Sequence, residues 1–122
     1  METVKQLNKQ EFTTKVADIE KSKGEWKFLG ERPAVIDFFA TWCGPCKALA
    51  PVLNELAADY QYKDRIDFYK VDIDQEQELA AVFGVRSVPT LLFIPLSGMP
   101  QMRTGGRTGS RRRGGGCGFP LW

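Results

Sequence analysis

The spacing of apolar residues changes abruptly between residues 39 and 46, and this change constrains the fold more than any other feature. Residues 34–39, Ala-Val-Ile-Asp-Phe-Phe, form a nearly continuous apolar run, which is typical of a strand covered on both faces. From Cys46 to Tyr60 the apolar residues recur instead at intervals of three and four, which predicts a long helix with one apolar face. Pro51 lies inside this helix and should kink it. A buried strand that leads directly into an amphipathic helix indicates a layered α/β domain.

The chain up to residue 104 continues this alternation of helical and extended patterns. A short apolar helix followed by Gly84 predicts a glycine that ends the helix in the left-handed conformation. Strands that alternate with helices indicate an α/β domain with a buried sheet, and the length suits one domain with one core. The further predicted elements are an amphipathic helix over 8–22 with Asn8 as its candidate cap, a strand over 66–73, a helix over 75–83, a strand over 90–94 and a weaker strand over 99–104.

The pattern stops after residue 104, which predicts a folded domain over 1–104 and a disordered Arg/Gly-rich tail over 105–122. The final twenty residues hold seven of the twelve glycines and show no apolar periodicity, so they cannot bury enough surface to offset their chain entropy. Charge divides in the same way. Residues 1–102 carry fifteen acidic and twelve basic side chains, a net charge of −3, whereas residues 103–122 carry five Arg and no acid, a net charge of +5. The overall net charge of +2 therefore describes neither part.

Three cysteines and no histidine limit the chemistry of the chain. An odd, small number of cysteines does not build the disulfide framework of a secreted protein. A zinc site would need two ligands beyond Cys43 and Cys46, and the remaining cysteine, Cys117, lies in the tail, so we expect no metal. No apolar stretch approaches the ~20 residues that span a membrane. The first ten residues lack the apolar segment of a signal peptide, so we expect a cytoplasmic protein.

Cys43 and Cys46 lie where a thiol becomes reactive. Cys43 immediately precedes the predicted helix, where unpaired backbone N–H groups and the helix dipole favour a thiolate and lower the pKa of the thiol. Cys46 follows one turn later, within disulfide reach, and Pro45 suits a first turn that does not need its missing N–H. We predict that Cys43 is an exposed nucleophile that attacks a substrate disulfide. The less exposed Cys46 would then resolve the mixed disulfide.

Residues 37–47, Asp-Phe-Phe-Ala-Thr-Trp-Cys-Gly-Pro-Cys-Lys, resemble the active-site segment of the thioredoxin family. Ala50-Pro51 and residues 70–74 and 84–93 add further similar segments, so the resemblance covers about residues 10–102. It implies the thioredoxin fold, in which helices flank a central mixed β-sheet and a C-terminal helix covers one sheet face. Because residues 105–122 have no helical pattern, we expect this last helix to be missing and an apolar face to be partly bare.

The resemblance also implies roles for residues around the two cysteines. Asp37 corresponds to a buried carboxylate that shuttles a proton for Cys46, with a structural Asp at a strand edge as the alternative. Lys70 corresponds to the lysine that faces this acid, unless it is a solvated surface lysine. The Val88-Pro89 bond corresponds to a cis peptide that faces the dithiol, where backbone pairs with the substrate chain. The expected substrate surface comprises Trp42, Gly44, Pro45, Gly84, Val88 and Pro89, with a core position for Trp42 as the competing interpretation.

Together these features predict a thioredoxin-type protein-disulfide oxidoreductase that reduces protein disulfides in electron transport and cell redox homeostasis. It would need no cofactor beyond its own Cys43–Cys46 disulfide. Its expected partners are disulfide-bearing proteins and a flavin-dependent thioredoxin reductase, with no membrane. Three alternatives remain open: an oxidase or isomerase of disulfides, a redox-inert partner subunit, and a tail that binds RNA or another polyanion. Gly44-Pro45 resembles the reducing members, and the tail has no aromatic residue before Phe119, which makes nucleic acid the less favoured partner.

Overall fold

The computed structural model describes residues 4–18, 25–59 and 61–104. These residues form five strands and three helices. The predicted disorder of the tail and the expected loss of a C-terminal helix both fall outside the described residues. In chain order the elements are β1 (Lys5–Gln6), α1 (Lys9–Lys15), β2 (Ala34–Phe39), α2 (Gly44–Ala58), β3 (Asp67–Asp72), α3 (Gln77–Val82), β4 (Thr90–Ile94) and β5 (Gln101–Thr104).

The five strands form one mixed sheet in the order β1-β3-β2-β4-β5. Strand β2 is central, because it pairs in parallel with β3 and antiparallel with β4. The outer pairs are β1 with β3, in parallel, and β4 with β5, antiparallel. A central strand has both hydrogen-bonding edges occupied and both faces covered, which explains the unbroken apolar run of β2. The α/β class and the mixed sheet are therefore confirmed.

Opposite faces of β2 contact different layers of helices. Phe38 is fully buried in the main core, together with Phe12 of α1 and Leu79 of α3. Val35 faces the other way and packs with a second cluster that includes Leu53 of α2. The sheet thus lies between α1 and α3 on one face and α2 on the other. Helix α2, which carries the cysteines, is the layer that positions the site.

Helix α1 begins as predicted but ends early. Asn8 caps it through reciprocal hydrogen bonds, in which the Glu11 N–H donates to the Asn8 side chain and the Asn8 N–H donates to the Glu11 carboxylate. The helix ends at Lys15, so the predicted continuation through residues 16–18 is wrong. The Val16 carbonyl accepts a hydrogen bond from the Leu29 N–H, which belongs to a later segment of the chain. Val16 continues the apolar period because it is buried in the core, although it is no longer helical.

The remaining elements agree with prediction to within two residues, except for β1. Strand β4 has the predicted bounds, and β3 and α3 are slightly shorter than predicted. Gly84 adopts φ +66° directly after α3, which confirms its left-handed conformation. Strand β1 has only two residues, both polar and exposed, so no hydrophobic pattern could indicate it. Its parallel pairing with β3 defines it as a strand.

Helix α2 is buried along a narrower stripe than its sequence predicts. It spans Gly44–Ala58 with Pro51 inside it, as expected, and Tyr60 falls outside the described residues. Leu53 and Ala57 are buried against the sheet, whereas Ala50 and Leu56, which belong to the predicted apolar face, are exposed. Only one flank of α2 packs on the sheet, and the other flank lies beside a groove described below.

Candidate active site

The start of helix α2 brings the two predicted cysteines together. Cys43 is the N-cap residue and Cys46 lies in the first turn, and a disulfide joins them across a Cα–Cα distance of 5.3 Å. The N–H of Cys46 donates a hydrogen bond to Cys43 Sγ at 3.1 Å. Pro45 occupies the first turn, where its missing N–H leaves no bond unmade. A hydrogen bond of this kind and a helix N-terminus both favour negative charge on a sulfur.

The predicted difference in exposure between the two cysteines is wrong. Cys43 and Cys46 are each 4% exposed, so Cys43 is not an exposed nucleophile in the oxidised protein. Both pack in a small cluster with Ala40, against which Phe39 and Val88 also pack. In the disulfide, each sulfur covers part of the other, and this cluster covers the rest.

Exposed residues flank the buried disulfide in sequence. Trp42 is 67% exposed, which excludes the alternative that it belongs to the core, and Gly44 and Pro45 are exposed as well. The indole Nε1 of Trp42 donates a hydrogen bond to Asp74 Oδ2 at 2.9 Å. A large aromatic ring is thus held at the surface by a single polar contact, next to the site of exchange.

Asp72 and Asp74 are site residues to which sequence reasoning assigned no role. Asp72 is buried at the end of β3, and its Oδ1 accepts a hydrogen bond from the Asp74 N–H, which fixes the turn that presents the Asp74 carboxylate to Trp42. A signal was present in the sequence. The carboxyl ends of the parallel strands β2 and β3 meet at one sheet edge, so acidic residues that end β3 lie beside the segment that follows β2.

The Val88–Pro89 peptide bond is cis, as the family resemblance implied. Val88 packs against the cluster of Ala40, Cys43 and Cys46, so the structure brings this bond to the dithiol. The hydroxyl of Thr90 donates to the Ser87 carbonyl oxygen at 2.6 Å and ties this segment to the start of β4. Gly84 lies at the exposed end of α3, and its role in substrate binding stays a prediction.

Asp37 lies in the middle of the central strand, which excludes the strand-edge alternative. The residue is 4% exposed, and its Oδ1 has no hydrogen-bond partner among the described residues. Burial raises the pKa of this carboxyl to about 6, although the charge of Lys70 acts in the opposite direction. Lys70 is the register partner of Asp37 on β3, and its Nζ lies 5.8 Å from the centroid of the Phe39 ring. Asp37 shares its face of β2 with Phe39, which packs against the dithiol cluster.

Within residues 4–18, 25–59 and 61–104, no three His, Cys, Asp or Glu side chains are grouped so that they could bind a metal ion. In the same part of the chain, no helix has the length and apolar character needed to cross a membrane.

A disulfide-bonded Cys-Gly-Pro-Cys at the start of a helix that covers a mixed sheet defines a dithiol–disulfide oxidoreductase. Comparison with known proteins gives the family. The family model described as thioredoxin matches residues 3–111, and the chain is 50% identical over 99 residues to the thioredoxin of Borreliella burgdorferi, an alignment that covers 81% of this chain and 82% of that protein. The chain belongs to the thioredoxin family, and it is a protein-disulfide reductase.

Solved structures agree with this assignment. The thioredoxin of Malassezia sympodialis is similar with a TM-score of 0.66 and 30% identity, over 86% of this chain and 81% of that one. Chloroplastic thioredoxin z is similar with a TM-score of 0.65 and 23% identity, over 86% of this chain and 83% of that one, and this likeness supports the fold alone.

Proposed function

We propose that Cys43 and Cys46 divide the reduction of a protein disulfide into two exchange steps. The Cys43 thiolate attacks one sulfur of the substrate disulfide, and the other substrate sulfur leaves as a thiolate. The Cys46 thiolate then attacks Cys43 Sγ, which restores the Cys43–Cys46 disulfide and releases the second substrate thiolate. The substrate gains two electrons and the dithiol loses two. The observation that carries this proposal is the disulfide at the N-terminus of α2.

The hydrogen bond at the disulfide supports this order of attack. The Cys46 N–H points to Cys43 Sγ, so negative charge is stabilised on Cys43 rather than on Cys46. A thiol with the lower pKa is the nucleophile that is ionised near neutral pH, and it is also the better leaving group in the second step. The buried position of Cys43 in the oxidised protein fits a disulfide that is attacked only by a partner that docks beside it.

Asp37 is the proposed proton acceptor for Cys46. Cys46 must lose its proton before it can resolve the mixed disulfide. A buried carboxyl with a pKa of about 6 can accept and return a proton near neutral pH. Lys70, its register partner, favours the ionised form of the acid and keeps the pKa from rising further. We assign Lys70 this electrostatic role.

The proposed substrate surface surrounds the disulfide. Trp42, Gly44 and Pro45 form its exposed part. The segment of Val88 and Pro89, which leads into β4, contributes through Val88, which packs against the dithiol cluster. In this arrangement the backbone at Val88 pairs with an extended segment of the substrate. Gly84 is proposed as a more distant part of the same surface.

Each turnover leaves Cys43 and Cys46 oxidised, so a second protein must return two electrons to them. We propose a flavin-dependent thioredoxin reductase as this donor, which gives the chain its place in electron transport. The proposed location is the cytoplasm, because its thiol pools keep such a dithiol reduced. The alternative function as a disulfide oxidase has no observation in its favour, and equilibration with glutathione tests it. We expect a dithiol more reducing than the glutathione couple, and a strongly oxidising potential would contradict the proposal.

Substitution of each cysteine tests the two-step assignment. Cys43→Ser should abolish the reduction of insulin disulfides, because the thiol that attacks the substrate disulfide is gone. In the Cys46→Ser variant, Cys43 should still attack the substrate disulfide. A mixed disulfide should then accumulate and be detectable by mass spectrometry. Cys117→Ser is the matched control and should retain activity. Unchanged activity in Cys43→Ser, or a trapped complex through another cysteine, would refute the assignment.

A further inference from the structure

An apolar groove of about 530 Å³ runs between α2 and the β4–β5 edge of the sheet. Its volume is in the range of sites that bind small ligands or side chains. Val52 of α2 is 47% exposed at this groove, although it is an apolar residue on a helix that packs against the core. The residues that line the groove include Pro45, Leu49, Val52, Pro89, Leu91 and Thr104.

The chain leaves the described structure at the groove itself. Thr104, the last residue of β5, lines it, so everything that follows starts beside this surface. Residues 105–118 contain seven glycines and no Phe, Leu or Trp. Residues 119–122, Phe-Pro-Leu-Trp, then bring three large apolar side chains together.

A segment of this composition can reach any part of the groove. A Gly-rich chain of fourteen residues has a root-mean-square end-to-end distance of about 20 Å, and tethering at such distances gives effective concentrations on the order of millimolar. Opposite charge adds a further attraction, because residues 1–104, which include the groove-lining Arg103, carry a net charge of −2 and residues 105–122 carry +4.

We propose that residues 119–122 of this chain dock in the groove, with the rings of Phe119 and Trp122 against Leu49, Val52 and Leu91. Two aromatic rings and a leucine remove more apolar surface from water than any other part of residues 105–122 could. Pro120 restricts the backbone before binding and reduces the entropy lost on docking. The docked segment replaces solvent over the exposed flank of α2. Residues 105–118, which are rich in Gly and Arg, connect this segment to β5 in the sequence.

Cys117 provides a direct measurement. When Cys43 and Cys46 are joined, Cys117 is the one thiol left in the chain, two residues before Phe119. A nitroxide attached to it broadens the NMR signals of nearby amides. We expect at least a twofold loss of intensity for Leu49, Val52 and Leu91, and none for Phe12, which lies in the core on the other face of the sheet.

Two triple variants separate docking from simple proximity. Phe119→Ser/Leu121→Ser/Trp122→Ser should abolish the selective broadening, because the apolar side chains are gone. Gly114→Ser/Gly115→Ser/Gly116→Ser introduces the same number of serines into the same tail and should leave the broadening in place. The measurement on the unaltered chain does not depend on either variant remaining folded.

A mixed sample distinguishes the occupants of the groove. Protein that carries ¹⁵N but no nitroxide is mixed with spin-labelled protein that carries ¹⁴N. Any broadening in this sample therefore reports contacts between molecules only. We expect no broadening of the groove amides in this sample; broadening as strong as in the uniformly labelled sample would mean that a second copy supplies the segment, which would overturn the proposal. Broadening spread evenly over the domain would overturn it as well. Because the experiment uses oxidised protein without substrate, it is independent of the proposed roles of Cys43 and Cys46.

Discussion

At Asp37, the central strand holds an acidic side chain at a position where its apolar neighbours would favour another apolar residue. A buried carboxylate is unfavourable unless it is paired or protonated, and burial accordingly raises the pKa of this group to about 6. Register places Lys70 beside it, and Phe39, on the same face, packs against the dithiol cluster. Burial of the ionised Asp37 carboxylate thus destabilises the folded protein, and the same group carries a proton that can be exchanged near neutral pH.

The raised pKa of Asp37 predicts how stability depends on pH. In the unfolded chain this carboxyl loses its proton near pH 4, whereas in the folded protein it keeps the proton until about pH 6. The folded state therefore binds more protons in this window, and the free energy of unfolding should fall as pH rises from about 4 to 6. Asp37→Asn should remove this contribution and stabilise the protein at pH 7 by on the order of 2 kcal/mol. Urea unfolding at several pH values measures both effects, and equal slopes in the two proteins would contradict the assigned cause.

The hydrogen bond between Trp42 and Asp74 predicts a change in activity without a large change in stability. Asp74→Ala frees the exposed indole, so the ring should sample more orientations at the substrate surface. We expect kcat/KM for insulin reduction to fall a few-fold and the free energy of unfolding to change by less than about 1 kcal/mol. Glu55→Ala removes an exposed acid from α2 and serves as the control. Identical kinetics in Asp74→Ala and Glu55→Ala would show that the contact does not orient Trp42 for catalysis.

At the scale of elements, the sequence predicted the helices and strands whose boundaries are set by their own residues. The apolar run of β2, the dithiol at the start of α2 and the glycine after α3 are local signals, and all three are confirmed. Elements defined by their partners were missed or misplaced. Strand β1 exists because it pairs with β3, and α1 ends where Val16 bonds to Leu29. The equal burial of the two cysteines follows from the packing of Phe39 and Val88 around them, which helical periodicity does not encode.

The capping box predicts the stability of α1. Asn8→Ala removes the acceptor of the Glu11 N–H, and the free energy of unfolding should fall by about 1 kcal/mol. Gln10→Ala changes an exposed residue of the same helix and should stay within about 0.5 kcal/mol of the unaltered chain. Equilibrium unfolding in urea compares the three proteins. A loss in Gln10→Ala as large as that in Asn8→Ala would indicate general helix propensity rather than the cap.

At the scale of the molecule, residues 4–18, 25–59 and 61–104 cover the two faces of the sheet unequally. In the described part of the chain, the main core between the sheet and helices α1 and α3 contains eleven buried residues, whereas the two clusters on the α2 face contain four and three. On the α2 face, Val52 is exposed at the groove, and Phe93 of β4 is exposed at a separate depression. The cysteines lie on the α2 face, which has fewer buried residues. The face that carries the chemistry is therefore also the face with exposed apolar side chains.

This asymmetry predicts losses of stability of different size for two phenylalanines in neighbouring strands. Phe38→Ala opens a cavity in the main core and should lower the free energy of unfolding by about 3–5 kcal/mol, a large part of the ~5–15 kcal/mol typical of a whole domain. Phe93→Ala truncates a side chain that is 39% exposed on the other face, where water already contacts the ring, so the loss should stay near 1 kcal/mol. Urea unfolding of both variants, with circular dichroism as the probe, gives the comparison. Equal losses would show that the α2 face is as fully covered as the main core, and the unequal distribution of burial would then not describe the protein in solution.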